Sequence, residues 1–358
     1  MADTDRDGHP DFVIGRMAGA SGAEATLYWF QYHSPDRWTQ HVLGRESLSA
    51  VGAAALDVDG DGWPDIVCGG VWYRNSRRPA EKEFTRHVFG PRCAGAHDIA
   101  VADIYGDGKP EVVTMHDGPE GLCWYKIPKD PTQPWTRHVM GPGIHGGITP
   151  GAIADLDGDG DLDVLRADTW FENKDGKDEE WVAHNNVPFG RVGPSGMCVR
   201  GIIVDIDGDG RQEVVICDCD IVESKMAILH NVDGKGGVWQ RQDLPQSFPY
   251  GSPHLLAVAD FNGDGRLDIL TNEQEELLPP GRKNPRWVIW ENRGAGRLEE
   301  RVILDEKLGG HDLQVADVTG DGRPDVLSKP WGVAPWNGAG GGMHVDFLEN
   351  RTPRAAKG

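Results

Sequence analysis

The sequence predicts an all-β fold, a seven-bladed β-propeller, and three observations predict it. An acidic, glycine-bearing motif recurs seven times, short β-type runs frame every copy, and no ten-residue stretch shows helical periodicity. Aligned on the first acid, the copies read DTDRDGHPD from Asp3, DVDGDGWPD from Asp57, DIYGDGKPE from Asp103, DLDGDGDLD from Asp155, DIDGDGRQE from Asp205, DFNGDGRLD from Asp260 and DVTGDGRPD from Asp317. They lie 46 to 57 residues apart.

Each full period follows one order. An apolar segment leads into the acidic loop, and a second short apolar segment such as IVCGG or VLRAD follows. Next comes an aromatic segment (VWYRN, LCWYK, TWFEN, VIWEN), then a segment like FTRHVFG, WTRHVMG or WVAHNNV. Four β-type runs separated by Gly, Pro, Asn and Asp describe a four-stranded antiparallel blade, and a propeller protects such sheet edges by radial repetition. A row of EF-hands is excluded, because no helices flank the loops. The chain begins at the first acidic loop and stops soon after HVDFLEN, so the first and seventh blades are expected to be three-stranded or to complete each other. A single seven-bladed domain is expected over residues 1–350, with 351–358 as a disordered tail.

The loops carry oxygen ligands at fixed spacing. Carboxylates at positions 1, 3, 5 and 9, with the carbonyl of position 7 among them, suit Ca²⁺ at about 2.3–2.6 Å. Four loops keep all four acids: Asp3, Asp5, Asp7 and Asp11; Asp57, Asp59, Asp61 and Asp65; Asp155, Asp157, Asp159 and Asp163; Asp205, Asp207, Asp209 and Glu213. The sixth uses Asp260, Asn262, Asp264 and Asp268. The third (Asp103, Asp107, Glu111) and seventh (Asp317, Asp321, Asp325) have Tyr105 and Thr319 at position 3, so weaker or vacant sites are expected there.

Composition agrees with cation binding. The formal charge is −21, from 36 Lys+Arg against 57 Asp+Glu, and no basic stripe interrupts it. That argues against nucleic acid or an anionic membrane surface as partner. No apolar run approaches the roughly 20 residues of a membrane helix, so no membrane insertion is expected. The N-terminus does not resemble a signal peptide, so either a leader has been removed from a periplasmic or secreted protein or the protein is cytoplasmic. The six cysteines include no C-x-x-C pair; buried free thiols are expected, although Cys198 and Cys217 are placed to face each other across one hairpin. Nothing in the sequence sets the oligomeric state.

Function is sought on the rim opposite the loops, where inner strands start and second strands end. Six residues before the first loop acid stand Val51, His97, Thr149, Val199, His254 and His311. Three histidines in six slots exceed chance for a chain with 13 histidines in 358 residues. Three neutral imidazoles with an open fourth position make the pattern of a catalytic Zn²⁺ site, or of another divalent transition metal. Nearby on the same rim are His145, His116, Asp117, Asp168, Asp218, Glu273 and Lys329, with Trp72, Trp170 and Trp331 as surfaces on which a sugar ring could stack. His41, His87 and His138 belong to a repeated outer-strand pattern and read as structural.

The seven D-x-D-G-D-G-x-x-D loops make the chain resemble the FG-GAP/VCBS-repeat family, whose calcium-loop propellers include integrin α-subunit heads and many bacterial secreted proteins. Within it, the arrangement is most similar to the propeller domain of aldos-2-ulose dehydratases, without their cupin and lectin parts. That resemblance implies a zinc ion at the floor of a central cleft, acting as a Lewis acid in β-elimination from a keto-sugar.

The reading is therefore a calcium-stabilised propeller acting as a metal-dependent carbon–oxygen lyase or dehydratase on a carbohydrate. His97, His254 and His311 hold the metal, and His145, His116 or Glu273 is the base. Lys329 or Arg200 neutralises an enolate, and Trp170 and Trp331 bind substrate. The rival is a non-catalytic propeller that binds glycan or protein. A hydrolase using Asp98 and Asp312 is disfavoured, because neighbours on a strand face opposite ways and both acids should turn from the cleft.

Overall fold

The computed structural model describes residues 1–16, 25–48, 52–174, 176, 180–332 and 334–353. Val51 and the end of the expected tail, 354–358, lie outside the described residues. Among those described, the fold is all-β and carries the seven blades of a β-propeller, with no α-helix.

Blades two to six are four-stranded and antiparallel, with the strands in chain order across each sheet. In blade two these are Ala54–Leu56, Asp65–Cys68, Val71–Arg74 and Thr85–Val88. In blade six they are Pro253–Ala259, Asp268–Glu273, Arg286–Asn292 and Leu298–Asp305. Blade one (Phe12–Arg16, Thr26–Ser34, Arg37–Arg45) and blade seven (Asp312–Ala316, Asp325–Lys329, Asp346–Leu348) are three-stranded, as the sequence suggested for its two ends. In blade one an isolated bridge pairs Ala2 with Asp11. A small hairpin, Val192–Gly193 with Gly196–Met197, precedes blade five.

The chain divides into two compact units. The first comprises Met1–Gly146, Asp175–Trp181 and Asp317–Asp321 and holds blades one to three; its core gathers Trp29, Leu43, Trp72, Tyr73, Phe89 and Tyr125. The second comprises Gly147–Lys174, Val182–Ala316 and Gly322–Gly358. Its cores gather Val215, Cys217, Trp290, Leu270, Trp287 and Val326. All six cysteines are buried and free, and the backbone N–H of Cys219 meets the Cys198 carbonyl at 2.9 Å, so Cys198 faces Cys219 rather than Cys217.

Four third-strand tryptophans are covered by outer-strand histidines. Trp29 stacks on His41 at 4.6 Å between centroids, Trp72 on His87 at 4.6 Å, Trp124 on His138 at 3.9 Å and Trp170 on His184 at 4.3 Å. These pairs are cross-strand neighbours, and an aromatic pair adds about 0.5–1.5 kcal/mol beyond the area it buries. The outer-strand histidines are thus structural. Burial lowers the His41 and His87 pKa values by disfavouring the charged rings.

A repeated asparagine ties each of four blades to the one before it. Asn75 donates from Nδ2 to the Thr4 carbonyl, Asn231 to Leu156, Asn292 to Ile206 and Asn350 to Phe261, all at 2.8–3.1 Å. Every acceptor is the residue just after the first acid of the preceding loop. Asn292→Ala would leave the buried Ile206 carbonyl and the part-buried Leu267 carbonyl without this donor, at a cost of about 1–3 kcal/mol. Urea unfolding should show that loss. Asn292→Asp, which cannot donate, should lose at least as much, and an unchanged midpoint in both variants would refute the clamp.

Candidate functional site

In the acidic loops the first carboxylate is fixed by backbone. In loop two Asp57 accepts the N–H groups of Asp61 at 3.0 Å and Gly62 at 2.7 Å, while Asp59 and Asp61 accept N–H groups two residues on. The tight turn that aims these donors needs a left-handed backbone at Gly60 (φ 73°) and Gly62 (φ 85°), which glycine adopts without strain. Donor oxygens then converge. Asp3, Asp5 and Asp11, Asp57, Asp59 and Asp61, and Asp155, Asp157 and Asp163 each bring three ligand atoms within 4.8 Å of one another. Oxygens bound to one ion at about 2.3–2.6 Å can be no more than about 5 Å apart, so these sets fit calcium. Arginines contribute counter-charge: Arg74 reaches Asp59 at 2.5 Å, Arg77 reaches Asp61 at 2.8 Å, and Arg211 and Arg266 pair with Asp209 and Asp264. In loop three the Lys126 ammonium lies over the Tyr105 ring, bringing positive charge where the acid is missing.

The ninth position has a task the sequence reading did not assign to it. Asp65 is fully buried and accepts the N–H of Val58 at 3.1 Å and of Asn75 at 2.7 Å, so one carboxylate joins loop, second strand and third strand. Asp11 (to Thr4 and Tyr32), Asp163 (to Leu156 and Asn173) and Asp268 (to Phe261 and Asn292) repeat the arrangement. The recurrence of Asn at the end of the aromatic segment was the available signal.

On the opposite rim of the second unit, His254 and His311 come together from neighbouring blades. They are 2% and 6% exposed, with ring centroids 3.5 Å apart at 24°. The His311 N–H donates to the Lys329 carbonyl at 2.7 Å, extending the blade-seven ladder by one rung. Trp331 lies beside His311 at 5.2 Å and is 46% exposed. Asp220 Oδ2 is 3.9 Å from His254 Nε2, and Cys198, Asp220 and His254 bring ligand atoms within 4.8 Å of one another. One expectation needs correction here: face-to-face imidazoles cannot both aim in-plane lone pairs at one ion about 2.0–2.1 Å away, so His254 and His311 do not ligate jointly as placed.

In the first unit, His97 occupies the slot that His311 has in its own blade, its N–H donating to the Met115 carbonyl at 2.8 Å. Its Nδ1 is 2.9 Å from Asp98 Oδ1, and its ring meets His145 edge-on at 4.7 Å. A proton on Nδ1 satisfies this bond, the usual way a carboxylate fixes the ring of a histidine. Asp98 therefore bonds the histidine beside it, although neighbours on a strand face opposite ways. Asp312 accepts the N–H of Leu313 at 2.9 Å. His116 Nδ1 is 3.1 Å from the Asp117 carbonyl, at the partly exposed end of its strand.

Three expected site residues are placed in structural roles. Glu273 is fully buried, with its carboxylate taken up by the N–H groups of Gly251 (2.5 Å) and Arg286 (2.8 Å) and by the Arg282 guanidinium, so it has no free edge to act as a base. Arg200 is 3% exposed and donates to the Ile148 carbonyl at 2.8 Å. Trp170 is 1% exposed beneath His184, in the core rather than on a sugar-binding surface. Asp218, also buried, is paired with Arg191 at 2.7 Å.

The model of the FG-GAP-like repeat matches residues 3–68, 103–165 and 205–271, more than half of the chain, and each matched segment spans two acidic loops. The chain belongs to the FG-GAP-like repeat family. No curated protein matches it. Among solved structures, the V. cholerae biofilm matrix protein Bap1 is similar at 12% identity and a TM-score of 0.28, covering 95% of this chain and 69% of that one, a likeness too weak to carry an argument.

In this FG-GAP-like chain the buried ninth-position acids couple stability to pH. Burial pushes Asp11, Asp65, Glu111 and Glu213 up to about 7, Asp163 to about 8 and Asp268 to about 6, from ordinary values of 3.8 for Asp and 4.5 for Glu. The folded chain thus binds more protons than the unfolded one in that window. The contribution of these groups is full below the ordinary values and is lost as pH rises through about 6 to 8. With excess chelator, the melting temperature should fall between about pH 5.5 and about pH 8, and added Ca²⁺ should raise it more at the higher pH. Equal calcium increments at both pH values would contradict this coupling.

Proposed function

We propose that this protein is a metal-dependent carbon–oxygen lyase or dehydratase acting by β-elimination on a sugar (a keto-sugar, anhydro-sugar or oxidised glycoside), with Ca²⁺ in the acidic loops as a structural ion. One observation carries the reading. A buried imidazole, His254, has a carboxylate 3.9 Å away and is overlaid by His311, beside which an exposed indole, Trp331, opens to solvent. The repeat itself requires none of these side chains.

A divalent transition metal such as Zn²⁺ bound there would supply Lewis acidity toward a substrate carbonyl and its neighbouring hydroxyl. His254 is the ligand, and His311 fixes its ring by stacking. Trp331 offers an apolar face to the sugar. Lys329 ends the strand whose last carbonyl holds the His311 N–H, and neutralises negative charge as the proton next to the carbonyl is removed. In the first unit, His97 is oriented by Asp98 and packed edge-on by His145. Glu273, Arg200 and Trp170 have no part in the chemistry. The exposed Trp331 also suits a propeller that binds glycan without turnover.

Elemental analysis after mild chelation, with an absorbance assay for unsaturated product from keto- and anhydro-sugars, tests the reading. A transition metal should survive alongside calcium. His254→Ala should lose both that metal and turnover, while Trp331→Ala should raise KM and leave the melting temperature unchanged. Calcium alone in the unsubstituted chain, with no turnover and with metal content unchanged in His97→Ala, His254→Ala and His311→Ala, would remove the enzyme reading and leave glycan binding.

A further inference from the structure

The donor set around His254 is more specific than a histidine cluster. Cys198 lies just before the inner strand Val199–Val204 of blade five, Asp220 follows that blade's second strand Glu213–Asp218, and His254 sits in the inner strand Pro253–Ala259 of blade six. Three segments of two neighbouring blades thus deliver a sulfur, an oxygen and a nitrogen within 4.8 Å of one another. Cys198 and His254 are 1% and 2% exposed, and the Asp220 side chain 16%. The 3.9 Å between Asp220 Oδ2 and His254 Nε2 is near the roughly 3.3–3.4 Å separating two ligand atoms bonded tetrahedrally at about 2.0–2.1 Å.

We infer that Cys198, Asp220 and His254 form a thiolate–carboxylate–imidazole site for one divalent transition metal of the zinc type, separate from the acidic loops. It rests on the reading of His254 as a metal ligand and names the rest of the ligand set. Soft sulfur and imidazole nitrogen select against calcium and magnesium. Three protein ligands leave a fourth position for water or substrate, as catalytic zinc sites do.

The surroundings hold the set in place. Gln274 Nε2 donates to Asp220 Oδ1 at 3.1 Å, steadying the carboxylate through the oxygen that does not face His254, and the buried Ser252 hydroxyl holds Gln274 at 3.1 Å. Such outer partners orient metal ligands. Asp220 adopts φ 55°, a left-handed conformation that costs a non-glycine residue energy and that recurs at functional sites. The Cys198 thiol, held protonated chiefly by its hydrogen bond with Cys219 and then by burial, would release its proton to solvent as the metal–sulfur bond forms, while the nearby Arg200 charge favours the thiolate.

The test is a Co²⁺ titration of the full chain, stripped with EDTA and resupplied with excess Ca²⁺ to occupy the loops. One equivalent of cobalt should bind, with a near-ultraviolet thiolate-to-cobalt charge-transfer band that Zn²⁺ abolishes. Cys198→Ser should lose the band at unchanged calcium-dependent melting, Asp220→Asn should weaken binding at least about tenfold, and Cys219→Ser should keep the band. A wild-type chain with no band, a band that survives Cys198→Ser, or a Cys198–Cys219 disulfide found in the untreated protein would each overturn the site. A band without sugar turnover sinks the lyase reading and leaves this site standing. Turnover without the band does the reverse.

Discussion

A carboxylate buried at the start of the second strand holds each repeat together. An ionised carboxylate in so dry a place is costly unless hydrogen bonds and opposite charge compensate it. Here the compensation is built from backbone: the N–H after the first loop acid on one side and the N–H at the end of the third strand on the other, as at Asp65 and Asp268. The same asparagine that gives its N–H to the carboxylate sends its amide to the preceding blade. One buried charge thereby sets the loop, the register of the next strands and the tie between blades. Acids that crowd around it repel one another, so a bound cation and a bound proton are alternative ways of relieving the same strain.

The loops therefore belong to folding, and the opposite rim is where the chain departs from its repeat. The outer-strand histidines cover indoles, and what they do in one blade they do in the next. The rim groups have no such equivalence. His97 leans on its own aspartate and on His145, whereas His254 lies under His311 with Cys198 and Asp220 at its edge. A similar departure pins the long segment after blade seven's second strand. His344 bridges the buried Glu275 and Asp346 at 2.8 Å each, and Asn337 donates to Glu275 at 3.1 Å. Burial draws the His344 pKa down, but its two carboxylate partners outweigh that and raise it.

The sequence by itself determined the fold class, the seven blades, the irregularity of the first and last blades, the acidic loops and the structural histidines. Each of these follows from a local pattern that repeats, and a periodic β-sheet pattern specifies which face of a strand is buried. It also isolated His97, His254 and His311 as side chains the repeat does not require. Only the tertiary structure decided what surrounds them. Alignment of equivalent slots says that residues share a rim; it cannot say that two imidazoles meet face to face, that Asp98 turns toward His97, or that Glu273 is sealed by Arg282. Nor could it bring Cys198 and Asp220 to His254, because those residues stand in different slots of another blade and meet through side-chain directions and one left-handed backbone angle.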